Sequence, residues 1–156
     1  MKNAKLEAPV QGWPLAAYGS VRRRSGPHVL LLGDTGGFID PLSGEGVFGA
    51  MQSAWIAADV SRDALREGVF TEPFLAGYDD RCRRYFGSDF GSAAFVTALL
   101  ANPAVGKPVA MWGLKQVEKN CLLDPSYARM IAGFFTGMYP RRRFLTLKWL
   151  ARTIFA

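Results

Sequence analysis

The run from Val29 to Ala50, VLLLGDTGGFIDPLSGEGVFGA, limits what this chain can fold into more than any other stretch. An apolar segment, Val29-Leu30-Leu31-Leu32, stops at Gly33-Asp34. A stretch crowded with Gly and Pro follows, and a helical pattern opens at Gly44-Glu45-Gly46. Residues 29–33 read as one strand, rich enough in Val and Leu to be buried on both faces. Such a strand needs neighbouring strands for its backbone donors and acceptors, and the rest of the sequence supplies few.

Beyond that strand the pattern is helical. Residues 1–27 read as extended and loop-like, limited by Pro14 and Pro27 and punctuated by Gly12, Gly19 and Gly26. From about Gly46 to Arg66, Val47, Ala50, Met51, Ala54, Ala57, Ala58 and Leu65 recur at three- and four-residue steps. Gly68 suits the C-terminal cap. Thr71 is an N-cap candidate, with Glu72 and Pro73 in the first turn, for a long helix to about Ala101 that Asn102-Pro103 stops. A helix over Val105–Lys119 is expected next. Asp124 followed by Pro125 begins a shorter one ending near Gly137, and a basic, apolar helix is expected over Arg141–Phe155. The expected fold is therefore a mostly helical α/β fragment: one or two strands, then about five helices. It divides into residues 1–70, holding the strand and the glycine-rich loop, and a helical region over 71–156. The chain reads like the C-terminal piece of a larger α/β protein.

Composition narrows the class. A chain of 156 residues with 49% hydrophobic and 21% charged residues can bury a core of its own. No run approaches the roughly 18 consecutive apolar residues of a membrane span, and the charged N-terminus shows no secretory pattern. Cys82 and Cys121 are too few for a disulfide framework or a zinc site, and read as reduced thiols. His28, the sole histidine, argues against a His-based triad or a His-rich metal site. With 19 Lys and Arg against 13 Asp and Glu the net charge is +6. Much of the excess lies in three clusters: Arg22-Arg23-Arg24, Arg81 with Arg83 and Arg84, and Arg141-Arg142-Arg143. No nucleic-acid module accompanies them, so an anionic partner or a membrane surface is expected rather than nucleic acid.

The glycine-rich run has a chemistry of its own. Gly44 to Gly49 formally matches G-x-G-x-x-G, but ten residues (34–43) separate Gly33 from Gly44. That dinucleotide fingerprint needs a strand feeding its first glycine and a second strand ending in an acidic residue. Asp34, just past a strand, sits where open α/β sheets place ligands, and its carboxylate can accept hydrogen bonds from sugar-like hydroxyls. Gly36 and Gly37 permit close approach, and Pro41 fixes the path. Gly44 and Gly46 leave the first helix amides clear, where the amides and the helix dipole favour negative charge.

In this setting GDTGGFIDPLSGEGVFGAMQSA resembles the Gly-Asp motif and following helix of flavoprotein reductases and hydroxylases with the para-hydroxybenzoate hydroxylase fold. It is most similar to the geranylgeranyl reductase family. Gly12-Trp13-Pro14-Leu15, Tyr18-Gly19 and the first Arg cluster resemble that family's lead-in. The resemblance covers nearly the whole chain, but only residues 29–54 are motif-specific. It implies an FAD-dependent oxidoreductase that reduces prenyl-chain double bonds, with NAD(P)H or another donor reducing the flavin. Asp34 would bind the ribityl hydroxyls, or nearby sugar-phosphate oxygens, of FAD, and Gly33 would let that cofactor-binding turn form. Pro41 and Leu42 would lie near the isoalloxazine ring, and amides from Gly44, Glu45, Gly46 and Val47 would face its pyrimidine edge. Thr35-Gly36 departs from the Ala-Ala of many members. Gly37-Phe38 stands where hydroxylases often carry a histidine, which leans toward the reductases. The βαβ unit for the ADP half of FAD has no counterpart in these residues, so the isolated chain is expected to be inactive. The alternatives are a fragment of a flavin-dependent monooxygenase or halogenase, and a non-enzymatic helical binding module.

The remaining residues have plainer readings. Glu45 is either near the ligand or a solvated helix-start carboxylate, and no residue is a convincing catalytic acid or base. Trp55, Ile56, Phe90, Phe95, Phe134 and Phe135 read as core, with a lipid-lining role the alternative. The C-terminal RRRFLTLKWLARTIFA reads as a helix docked on its own domain or lying at a membrane surface. The expected location is the cytoplasm, with peripheral membrane contact and a small-molecule or prenyl-lipid substrate.

Overall fold

A computed structural model of the chain describes residues 9, 12–136, 139, 146, 149, 151 and 153. A two-stranded antiparallel hairpin, β1 (Ser25–Gly26) and β2 (Val29–Leu30), is followed by a 3-10 turn at Gly33–Gly36 and four helices. These are α1 (Val47–Glu67), α2 (Glu72–Ala101), α3 (Gly106–Leu123) and α4 (Pro125–Thr136). Their ends follow local chemistry. Gly68 adopts the left-handed conformation past α1, with its amide on the Ala64 carbonyl. Thr71 occupies the N-cap position of α2 without a side-chain cap, and Asn102 ends that helix. Before α4, the Asp124 carboxylate accepts the Ser126 amide at 2.8 Å. α3 begins one residue later than expected and runs to Leu123. The terminal helix expected over Arg141–Phe155 lies outside the described residues except at Thr146, Trp149, Ala151 and Thr153.

The strand departs from expectation. β2 is two residues long, and Val29 is 51% exposed, so residues 29–33 do not form a strand buried on both faces. Their polar backbone is satisfied without parallel neighbours. β2 pairs Ser25 with Leu30 and Gly26 with Val29. The Leu31 amide donates to Arg24 O at 2.7 Å, and Tyr78 Oη donates to Leu31 O at 3.0 Å. Ser53 Oγ accepts the Gly33 amide at 3.1 Å. Helix side chains and a local hairpin do here what sheet neighbours do elsewhere.

One core joins these elements. Phe38 from the loop, Ala57, Val60 and Ala64 from α1, and Leu75, Tyr78, Cys82, Phe86 and Phe90 from α2 pack together. Burial pushes the Cys82 thiol up to about 11 and the Tyr78 phenol still higher, because neither charged form is solvated there. The buried face of α1 consists of Gly49, Ser53, Ala57, Val60 and Ala64, at steps of three and four. Its larger residues Val47, Met51, Trp55 and Leu65 face outward, Trp55 at 74% exposure. The reason is steric. A Cβ on Gly49 would lie 2.0 Å from the Phe38 carbonyl oxygen, so the helix approaches the loop backbone too closely for large side chains. Phe90 is core as expected and Ile56 packs against it, whereas Trp55, Phe95 and Phe135 are exposed.

The first Arg cluster is also not a free cationic patch. Arg24 is buried and spans the molecule. Its Nε donates to Gly36 O at 2.7 Å, its backbone amide donates to Asp79 Oδ1 at 3.0 Å, and its Nη1 lies 3.9 Å from that oxygen. Ser25 Oγ donates to the other Asp79 oxygen at 2.5 Å. The guanidinium lies over the Phe38 ring at 4.9 Å and the Tyr18 ring at 5.1 Å. Arg23 pairs with Glu72, Arg81 with Asp63 and Arg83 with Asp80, while Arg141 to Arg143 lie outside the described residues.

Asp79→Ala removes the carboxylate and leaves Arg24 buried with its charge uncompensated. The expected cost is about 3–5 kcal/mol in folding free energy, measured by urea unfolding. A loss below about 1 kcal/mol would mean that the pair behaves as a surface ion pair.

Candidate functional site

The glycine-rich loop is held by its own backbone and by three neighbouring segments. Gly33 takes a left-handed φ of 52°, and a Cβ there would come within 3.2 Å of the Ala50 side chain. The 3-10 turn that it opens is closed by Gly37, φ 67°, whose amide donates to Asp34 O at 3.0 Å. The Phe38 amide reaches back to Gly33 O at 3.1 Å. Phe38 then drops into the core against Phe86, ring centroids 4.9 Å apart. Ile39 bridges to Ala17, and its carbonyl accepts the Tyr18 amide at 2.9 Å.

Asp40 organises the second half of the loop. Its carboxylate is buried and accepts the Leu42 amide at 2.8 Å and the Ser43 amide at 3.4 Å, an Asx turn over Pro41. Its backbone amide donates to Glu45 O at 2.8 Å, and its carbonyl accepts the Gly44 amide at 3.0 Å. Thr97 Oγ1 on α2 donates to Pro41 O at 3.0 Å. The Glu45 amide donates to Ser43 Oγ at 3.3 Å, and the Glu45 carboxylate accepts the Phe48 amide at 2.9 Å. Glu45 thus caps the first turn of α1, at the end where the helix dipole favours an anion.

These contacts sort the residues singled out in the sequence. Gly33 is buried and structural. The Gly44 and Glu45 amides are spent inside the loop, while the Gly46 and Val47 amides have no acceptor among the described residues. Asp34 is exposed, and its Oδ1 lies 2.8 Å from where a Cβ on Gly46 would stand. Its carboxylate and the start of α1 are therefore brought together. Pro41 and Leu42 are half-buried, in the turn closed by Asp40 and tied to Thr97. Four supporting residues receive no role from the sequence: Asp40 and Ser53 inside the motif, Arg24 in the first Arg cluster, and Thr97 beyond both. The Asp-Pro-Leu-Ser order at 40–43 is a legible turn signal for the first. The others act across the fold, and no local pattern marks their partners.

A groove of about 610 Å³ lies elsewhere, lined by His28 and Leu30 from the hairpin, Leu32 just past it, Ala54 and Ala58 from α1, and Phe70. His28 sits at the hairpin turn with φ 59° and stacks on Phe70, ring centroids 5.4 Å apart. The groove shares no lining residue with the loop.

No protein-family profile matches the chain, and no solved structure matches it. Curated proteins do. The chain is 34% identical over 85 residues to digeranylgeranylglycerophospholipid reductase 2 of Methanopyrus kandleri, covering 54% of this chain and 21% of that protein. It is 34% identical over 95 residues to reductase 1 of the same organism, covering 61% and 25%. Conditioned medium factor receptor 1 of Dictyostelium discoideum is 32% identical over 82 residues, covering 53% and 16%. The aligned region thus spans a quarter or less of the length of these relatives. The link to the digeranylgeranylglycerophospholipid reductases holds at the level of the family.

The close approach of α1 to the loop is testable. Gly49→Ala would drive a Cβ into backbone at Phe38 and is expected to destabilise the fold by about 1–3 kcal/mol. Gly77→Ala, in α2 with nothing within 4 Å of its Cβ position, should be neutral or stabilising by up to about 1 kcal/mol. Thermal unfolding of the two variants checks the contrast, and equal effects would contradict the packing.

Proposed function

We propose that residues 33–47 form the ribityl- and ring-facing part of an FAD site in a reductase of prenyl lipids. The observation that carries the reading is one exposed face that presents an acidic side chain, Asp34, beside the uncommitted Gly46 and Val47 amides at the start of a long helix. Its company is the family-level similarity to reductases whose names specify a digeranylgeranyl lipid. On this reading Asp34 accepts hydrogen bonds from ribityl hydroxyls. The Gly46 and Val47 amides, reinforced by the helix dipole, orient the ligand's polar edge and favour negative charge upon it. Pro41 and Leu42 contribute apolar contact to a flat ring. When bound, flavin supplies the hydride chemistry for saturating an isoprenoid double bond, with NAD(P)H or another donor as reductant. The work assigned to this chain is binding, orientation and electrostatic tuning, and no residue of the loop is assigned as acid or base.

A lipid substrate accords with contact at a membrane surface. No single helix among the described residues is long and apolar enough to cross a membrane; α2 and α3 together pass by length and composition but are bent by 113°. Peripheral contact is therefore the form proposed.

A loop that reads the ribityl chain and ring, not the adenylate, makes a specific demand on ligand choice. The chain should bind FMN and FAD with affinities within about threefold of each other, well under the 1.4 kcal/mol of a tenfold change. ADP should displace neither. Asp34→Ala should weaken both by about tenfold or more, the worth of a hydrogen bond to a charged group. Fluorescence titration measures all three. Displacement by ADP, an indifferent Asp34→Ala, or no flavin binding would each contradict the reading.

A further inference from the structure

The buried stripe of α2 runs through Tyr78, Cys82, Phe86, Phe90 and Ala93, at steps of three and four, and Thr97 continues it one turn further. A serine or threonine inside a helix ordinarily returns its hydroxyl to the carbonyl one turn back. Ser92 does so to Ser88 O at 2.7 Å, and Thr136 does so to Ala132 O at 2.9 Å. Thr97 does not. Its hydroxyl leaves the helix and donates to Pro41 O at 3.0 Å, joining residues 56 positions apart. Threonine is a mediocre helix former, so helix stability does not account for it. The contact does.

The place it reaches is the turn that Asp40 closes. Within residues 40–45 that turn is satisfied by its own bonds: Asp40 carboxylate to the Leu42 amide, Asp40 carbonyl to the Gly44 amide, and Asp40 amide to the Glu45 carbonyl. Such a turn is stiff internally, but its tilt against the fold depends on outside anchors. Ile39 O, held by the Tyr18 amide, is one. The Glu45 carboxylate, which accepts the Phe48 amide of α1, is a second, and Thr97 is the anchor on the side of α2. We infer that Thr97 is a positioning residue. It sets the height of the Pro41-Leu42 turn relative to the Gly46 and Val47 amides, and so the slot in which a flat ring would lie. The role toward a ring rests on the flavin reading above; the mechanical role does not.

The test uses Thr97→Val, which keeps the branched shape and removes the donor, and Thr97→Ser, which keeps the donor. Amide hydrogen exchange is followed without ligand, and FMN and FAD titrations are run on the same proteins. Thr97→Val should speed exchange of the Leu42 and Gly44 amides by about fivefold, the factor of one neutral hydrogen bond, with α1 and the first half of α2 unchanged. It should weaken FMN and FAD equally, by a similar factor, and Thr97→Ser should restore both. Unchanged exchange in Thr97→Val, or failure of Thr97→Ser to restore it, overturns the inference. Faster exchange with unaltered flavin affinity overturns the role toward the ring while leaving the flavin site intact. Faster exchange in a chain whose wild type binds no flavin overturns the flavin reading and leaves the mechanical anchor. If Thr97→Val loosens all of α2, Thr97→Ser decides: wild-type exchange at Leu42 and Gly44 supports the anchor, and a loss there overturns it.

Discussion

The buried contact between Arg24 and Asp79 holds the hairpin, the 3-10 turn and the loop beyond it against α2. A guanidinium out of water is unfavourable unless its charge and its donors are matched. Here Asp79 supplies the opposing charge and Gly36 O accepts from Nε, while the Phe38 and Tyr18 rings cover the faces of the ion. Four segments meet at one residue: the stretch before the hairpin, the 3-10 turn, the loop beyond it and α2. The same carboxylate takes the Ser25 hydroxyl and so fixes the hairpin to that helix. With only two residues in each strand, the hairpin could not hold this position by itself.

The loop inherits its geometry from that arrangement. Gly36 is tied to Arg24, Gly33 to Ser53 and Pro41 to Thr97, so the turn, the start of α1 and α2 are referenced to one another. The narrow approach at Gly49 sets α1 against the loop backbone. The result is a helix N-terminus that begins close to an exposed carboxylate, with the loop before it tied to α2.

Much of this was legible in the sequence where the signal is local. Gly68, Asn102-Pro103 and Asp124-Pro125 mark helix boundaries because backbone chemistry at a cap depends on a few adjacent residues. Gly46 was readable as a clear helix start, whereas its closeness to Asp34 appears only in the fold. The buried face of α1 was not legible, because hydrophobic periodicity weights Met51 and Leu65 above Gly49 and Ser53, whereas close backbone packing selects the small residues. The four apolar residues from Val29 looked like a parallel strand because pattern cannot show that Tyr78 and Ser53 would satisfy their backbone. Arg24 looked like surface charge for a similar reason. Its partner lies 55 positions away, and nothing near it in the chain announces burial.

On the proposed reading, one face of the loop, from Asp34 to Val47, receives a flavin ring and its ribityl chain. The most direct measurement is an amide chemical-shift map of the chain titrated with riboflavin, which carries those two parts and no phosphate. The largest shifts are expected on Gly46 and Val47, with Leu42 next and the Leu30 and Ala58 amides of the hairpin groove unmoved. Shifts concentrated in that groove, or spread evenly over the exposed apolar side of α1, would contradict that reading.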